Sequence, residues 1–289
     1  MIVANAARAA VAAPDVDALV MSIAIPPRPA LLSDLQREMA REDPDFDRIV
    51  SIVGMDVAMT AAVLRSVNSP YYGLNRRAET LSQAISLIGL RQISALVTGL
   101  VLRQALRADG PTLTRFWDVS GKRAYALVLL ARNRRTVEVD VAQSFGLFCD
   151  VGIPLLMQRF PDYVQTLKAA NAAQGVSFTD VEQAAHHTDH AMIGALMARS
   201  WGLSQAVCQA IRVHHDEAIF QDPKVPGEVV QLVAMSLLAE GAIQRFAGLN
   251  NSAECVQGCE RAAGALMLGA TEVEDWIDQL FEGFAAGCA

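Results

Sequence analysis

Charge is scarce in this chain. Charged residues make up 19% of its 289 positions, against 52% hydrophobic. A disordered chain needs the opposite balance, so most of this one is expected to fold, and it is long enough to bury a sizeable core. Cysteine is sparse and unpaired in pattern. Cys149, Cys208, Cys255, Cys259 and Cys288 are odd in number and include no CxxC. That excludes a disulfide framework or zinc ribbon and fits a reducing, cytoplasmic setting. Cys255 and Cys259 stand four apart and read as small apolar residues on one helix face. No uninterrupted apolar run approaches the roughly 20 residues of a membrane span, the stretch 93–102 being too short. The Ala-rich N-terminus lacks a continuous hydrophobic core, so no signal peptide is expected. Excess positive charge is missing too. Lys and Arg number 24 against 31 Asp and Glu, a formal net charge of −7, which repels a phosphate backbone and disfavours nucleic acid. The small basic cluster of Arg132, Arg134 and Arg135 reads as a solvated helix end.

What is present is helical periodicity, with no persuasive alternating segment. After a lead-in over residues 1–21, IPPRPALL favours extended backbone and then a helix, about Leu31 to Arg41. Asp45 and Asp56 cap the next two, the second stopping at Ser69-Pro70. PYYGLNRRAET is a loop. Thr80 or Ser82 starts a helix that Gly89 closes, and a long apolar helix follows from Leu90 to about Leu106. RADGPTLT, residues 107–114, marks a boundary between two lobes. The second half is expected to hold helices at about Arg115–Arg134, Val141–Leu156 with interruptions at Gly152 and Pro154, Pro161–Ala173, Thr179–Trp201 and Ser204–His214. Two or three more follow a loop with Pro223 and Pro226, with GLNNSAE (248–254) a turn between them.

IVSIVGMDVAMTAAVLRSVNSPYYGL and ETLSQAISLIGLRQISALVTGLVL closely resemble the N-terminal half of HDOD domains. The likeness runs on through FWDVSGKRAYALVLLAR, FGLFCDVGIPLL and HTDHAMIGALMARSWGLSQAVCQAIRVHHD, covering roughly residues 22–220. It implies an all-α fold of two packed helical lobes, 22–110 and 111–220, the second like the HD phosphohydrolase superfamily, with residues 221–289 a helical extension on it. It also implies a bacterial regulator that lacks hydrolase activity, several such proteins being linked to cyclic-di-GMP signalling, motility or stress control.

HD chemistry holds a divalent metal on neutral imidazoles and a carboxylate, lowering the pKa of a bound water. The resemblance puts the first histidine in a W-x-H-S pattern, but this chain reads Trp117-Asp118-Val119-Ser120. It puts the His-Asp pair in G-L-L-H-D-I-G-K, where this chain has Gly146-Leu147-Phe148-Cys149-Asp150-Val151-Gly152-Ile153. Two ligand positions are therefore replaced, by Val119 and Cys149. Asp150, His190, His214 and His215 remain as residual metal candidates. All five histidines fall between residues 186 and 215, and His186 with His190 is an i,i+4 pair that can chelate zinc from one helix face. The plainer reading makes His190 and His214 core residues hydrogen-bonded to Asp150 or backbone, since a buried carboxylate needs a partner. Cys149 as a nucleophile beside a histidine base is the sharp alternative to a small buried residue.

Asn68, Tyr71 and Tyr72 form the most distinctive loop. They are either a recognition surface or, with Asn68 capping its helix and a tyrosine packed on the second lobe, a stitch between lobes. Trp117 and Trp201 are packing candidates, and Arg91 pairs with a carboxylate or lies free on the surface. The helices around this loop are too far apart and too apolar for a helix-turn-helix. The expectation is thus a non-catalytic cytoplasmic signalling module with other signalling proteins as partners, no nucleic acid, no membrane and no cofactor. The alternatives are a metal-dependent phosphohydrolase with an altered ligand set, in which a divalent metal is the cofactor, and a nucleotide pocket between the lobes. Oligomeric state is not legible.

Overall fold

The computed structural model describes residues 23–106, 111–249 and 253–286. The expected lead-in, residues 107–110 of the lobe boundary, Cys288, the side chain of Cys255 and the middle of the 248–254 turn lie outside them. Every regular element among the described residues is helical. Five short helices come first: α1 (Ala30–Met39), α2 (Phe46–Gly54), α3 (Val57–Val67), α4 (Leu81–Ile88) and α5 (Leu90–Ala105). Their starts follow from side-chain caps. Asp45, Asp56 and Thr80 each accept a hydrogen bond from the backbone N–H three residues on, satisfying donors that a helix start leaves open. Gly89, at φ 86°, ends α4 and lets α5 leave at a bend of 116°. Leu32, Leu35, Ile49, Val53, Val63, Ile85 and Ile93 are buried between these helices.

A long helix, α6 (Pro111–Arg134), then runs beside α7 (Val139–Phe148), and α8 (Gly152–Arg159), α9 (Tyr163–Ala172), α10 (Phe178–His186), α11 (His190–Ser200) and α12 (Gln205–Val213) follow. After a 3₁₀ turn at Glu217–Phe220 come α13 (Gly227–Phe246), α14 (Ala253–Ala265) and α15 (Ala270–Ala285). Helix α7 packs on α6 on one side and on α5 on the other; α13 packs on α6, α12 and α14; α15 touches α6 and α13. A Cβ on Gly146 would sit 2.5 Å from the Cα of Ala124, so glycine is what lets α7 and α6 lie so close. Phe145, Phe148 and Trp201 fill the centre of this half, and one contiguous buried cluster runs through both halves. A fully buried side chain of this kind contributes about 1.5–3 kcal/mol through removal from water.

One expectation is corrected. The segment Thr179–Trp201 is not one helix. His187 adopts the left-handed conformation (φ 57°), and Asp189 caps a new helix through Met192 N–H at 2.6 Å. The expectation that no uninterrupted apolar run reaches a membrane span stands, although Val139–Arg159 (α7 with α8) and Gly227–Phe246 are long and apolar enough on average to cross one. In both, 61% of the most apolar window is buried within the fold, where neighbouring helices cover it. Smaller differences are those of boundary. The helix expected from Arg115 starts at Pro111, and Val141–Leu156 is two helices, parted at Cys149–Val151.

Candidate functional site

Asp150 lies in the turn between α7 and α8, His190 opens α11, and His214 and His215 follow the end of α12. They meet because α8 and α11 touch backbone to backbone. A Cβ on Gly152 would be 2.0 Å from the carbonyl oxygen of His190, so only glycine permits the approach. All four residual candidates converge: Nε2 of His190 is 3.2 Å from Nε2 of both His214 and His215, and Oδ1 of Asp150 is 3.3 Å from His214 Nε2 and 3.8 Å from His190 Nε2. Cys149 completes a second group with Asp150 and His214, and its Sγ lies 3.8 Å from Ser236 Oγ.

The histidines are oriented from behind. Glu182, fully buried on α10, accepts from His190 N–H at 3.1 Å and from Nδ1–H at 2.7 Å, and Tyr163 donates to its other oxygen. His214 donates from Nδ1 to the Ile211 carbonyl at 2.7 Å. Phe178 stacks on His215 and meets His190 edge-on. Each Nδ1 so engaged turns an Nε2 into the cluster, the arrangement by which a carboxylate or carbonyl fixes the tautomer of a metal-ligating histidine. Tetrahedral ligation with metal–nitrogen bonds of about 2.0–2.1 Å sets neighbouring nitrogens about 3.3 Å apart, close to the separations here. The three imidazoles therefore fit a divalent metal such as zinc, with Asp150 beside His214 at their edge.

The opposite wall is built differently. Arg123, buried on α6, ion-pairs with Asp150 Oδ2 at 2.8 Å and with Glu240 of α13 at 3.0 Å. It stands one turn beyond Val119, on the helix face where the hydrolase pattern has its first histidine. Burial alone would push the Asp150 carboxyl up, but Arg123, then His214 and His190, hold it well below the usual carboxylate range. Burial likewise disfavours a charged His214, yet Cys149 and Asp150 outweigh it and raise the imidazole well above its ordinary value. His215 is pushed well down by burial and by its two histidine neighbours. A proton favoured on His214 in this way would compete with a metal for the imidazole.

His186 is not part of the cluster. The helix break carries it onto the Phe160 ring, where Thr166 meets its Nε2 at 2.8 Å, so no i,i+4 chelate with His190 exists. Asn68 binds the backbone of Ala78 through both amide atoms, at 2.9 and 2.8 Å. Tyr71 packs on Tyr72 and on Tyr125 of α6, and burial pushes the Tyr72 hydroxyl up to about 12. Trp201 donates its indole N–H to the Pro26 carbonyl while Gln36 of α1 donates to the Trp201 carbonyl, a second stitch between the two halves. Arg91 pairs with Glu138 on the surface. Arg134 reaches the Leu266 carbonyl at 2.7 Å; it is tied to the C-terminal helices and not merely solvated.

Glu182 and Arg123 escaped the sequence reading. A glutamate inside a helix looks like any solvated glutamate. Arg123 did leave a signal, a basic residue one turn past the vacant histidine position and on the same face.

A family model describing the HDOD domain matches residues 25–217. The chain belongs to the HDOD family. An uncharacterised protein of Treponema pallidum (strain Nichols) is 26% identical over 226 residues, 78% of this chain and 43% of the relative. The uncharacterised protein YuxH of Bacillus subtilis (strain 168) is 25% identical over 134 residues, 46% of this chain and 32% of that one. This HDOD chain thus spans less than half the length of either relative. Among solved structures, an HDOD domain protein with unknown function from Geobacter sulfurreducens superposes with a TM-score of 0.67 at 20% identity, covering 94% of this chain and 96% of that one. A Shewanella amazonensis SB2B protein provisionally named a phosphohydrolase gives 0.72 at 21% identity, over 94% and 96%. At these identities the likeness is one of fold.

Proposed function

We propose that this HDOD protein is a regulatory module that does not hydrolyse phosphate esters and that works in the cytoplasm by contacting other signalling proteins. Cyclic-di-GMP-linked signalling is the setting the family resemblance favours. The observation that carries the reading is the Arg123–Asp150 ion pair. The carboxylate that the hydrolase pattern assigns to metal here faces a guanidinium that is permanently charged. With Val119 and Cys149 replacing two further ligands, the α6–α7 wall holds a protein cation where a metal's charge would be needed.

A second reading, a metal-dependent phosphohydrolase with an altered ligand set, draws on the three converging Nε2 atoms. His190, His214, His215 and Asp150 would hold a single divalent ion, whose chemistry when bound is to polarise an ester oxygen or acidify water. Elemental analysis after supplementation with manganese, iron, zinc or nickel, combined with phosphodiester assays, separates the two. The expected result is at most one equivalent of metal and no turnover. Metal-dependent turnover that disappears in Asp150→Ala would overturn the non-catalytic reading.

A further inference from the structure

Against a net charge of −7, one concavity carries only positive charge. Arg65 at the end of α3 and Arg76 and Arg77 in the following loop surround a cavity of about 510 Å³ that Asn68, Ser69 and Asn75 help to line. Among the described residues no carboxylate lines it. All three arginines are exposed, and among the described residues none makes an ion pair. By contrast Arg37, Arg41, Arg91 and Arg245 each sit against an acid. Like charges gathered without counter-charges repel and raise the local potential.

The rim that carries them is rigid. Asn68 clamps both backbone groups of Ala78, immediately after Arg77. Ser69 Oγ donates to the Ser66 carbonyl at 2.6 Å, residues 70–72 form a 3₁₀ turn, and Gly73 closes it at φ 57°. Tyr71 anchors the turn on α6 through Tyr125. A backbone held this way leaves chiefly the arginine side chains to be ordered on binding.

We propose that this cavity binds a small phosphorylated ligand bearing two or more adjacent negative charges, of the pyrophosphate type. Guanidinium forks bind phosphate oxygens in pairs. The volume falls among small-molecule sites, roughly 300–1,000 Å³, and exceeds what a lone inorganic ion needs. The cavity shares no residue with the histidine cluster, so either assignment can fail alone.

The test is calorimetric titration of the full chain with inorganic pyrophosphate at low and moderate salt, with orthophosphate as comparator. Variants are Arg65→Ala, Arg76→Ala and Arg77→Ala, their triple combination, and the corresponding triple Lys replacement, all at exposed positions and checked for helicity by circular dichroism. The expected result is one pyrophosphate per chain, bound about tenfold or more tighter than orthophosphate. Each single Ala variant should weaken it about tenfold, the triple Ala variant should abolish it, and the triple Lys variant should lose most of it because the forks are gone. Four results overturn the proposal: no binding at millimolar pyrophosphate; binding unchanged in the triple Ala variant; triple Lys equal to the parent, which means diffuse charge only; or capture of an acidic peptide at these arginines with no pyrophosphate binding, which makes the surface a protein contact.

Discussion

The two walls of the histidine site meet where Asp150 Oδ1 comes 3.3 Å from His214 Nε2, and they follow opposite rules. On the α10–α12 side, His190 and His214 each have an Nδ1–H engaged from behind, by Glu182 and by Ile211, which leaves Nε2 facing inward beside that of His215. On the α6–α7 side, Val119 and Cys149 stand where the hydrolase pattern would have two ligands, and Asp150 is held by Arg123. One wall is prepared to hold a cation from outside, and the other supplies a cation of its own. The contrast teaches that a cluster of metal-capable side chains can keep its packing when an internal guanidinium supplies the positive charge its carboxylate needs. An unpaired Asp150 at this depth would be strongly unfavourable, and Arg123 removes that cost.

Arg123→Met attacks the contrast directly and carries the largest expected effect. Removing one partner of a buried ion pair costs about 3–5 kcal/mol, read as a shift in urea midpoint. Freed of the guanidinium, Asp150 should turn toward the histidines, so zinc or manganese uptake by the variant should exceed that of the parent and restore part of the lost stability. Metal content equal to the parent's would show that Arg123 does not oppose a metal. Gly152→Ala comes next. Its Cβ would fall 2.0 Å from the His190 carbonyl oxygen, so backbone must move. A loss of about 1–3 kcal/mol or more is expected from such overpacking, together with weaker metal uptake, because the two walls are pushed apart. Full stability in this variant would mean that the α8–α11 contact does not set the distance between them.

Much of this was legible from residues, and what was not has a physical reason. Asp45, Asp56 and Thr80 are short polar side chains before apolar periodicity, and each caps a helix in the structure. Gly89 ends α4 as its missing Cβ suggests. The four residual metal candidates are gathered because a motif carries spacing along the chain even when its neighbours have changed. The break at His187–Asp189 was missed. Asp189 before the apolar stretch from Ala191 is the same kind of cap signal as Asp45 and Asp56 and was passed over inside the polar run 186–190, and a left-handed histidine leaves no compositional mark. That single break moved His186 out of the site and brought Glu182 behind His190. Tertiary pairing was equally hidden, since nothing local links Arg123 to Glu240, 117 residues later.

Glu182→Gln sharpens the contrast from the histidine side. It keeps shape and one acceptor, but it removes the charge that holds the Nδ1 proton of His190. Outer-shell changes of this type cost about 10–100-fold in metal affinity. The expected outcome is that loss in a zinc competition titration, with the Arg123–Asp150 pair unaffected. An unchanged zinc affinity would reduce Glu182 to a packing partner of Tyr163.

The smallest effect isolates the helix break itself. Asp189 is buried, accepts from Met192 N–H and from Gln183 Nε2, each at 2.6 Å, and touches none of the converging atoms. Asp189→Ala should cost about 1–2 kcal/mol as a lost N-cap. It should speed hydrogen exchange at the first turn of α11, while Asp189→Ser, which can still cap, should recover most of both. If the inward-facing histidines depend on where α11 begins, Asp189→Ala will also weaken zinc binding several-fold, and Asp189→Ser will restore it. Faster exchange with zinc affinity unchanged would instead assign the orientation of His190 to Glu182 alone, since the carboxylate grips both its ring and its backbone N–H. The histidine wall would then need only that one buried acid, just as the opposite wall needs only Arg123.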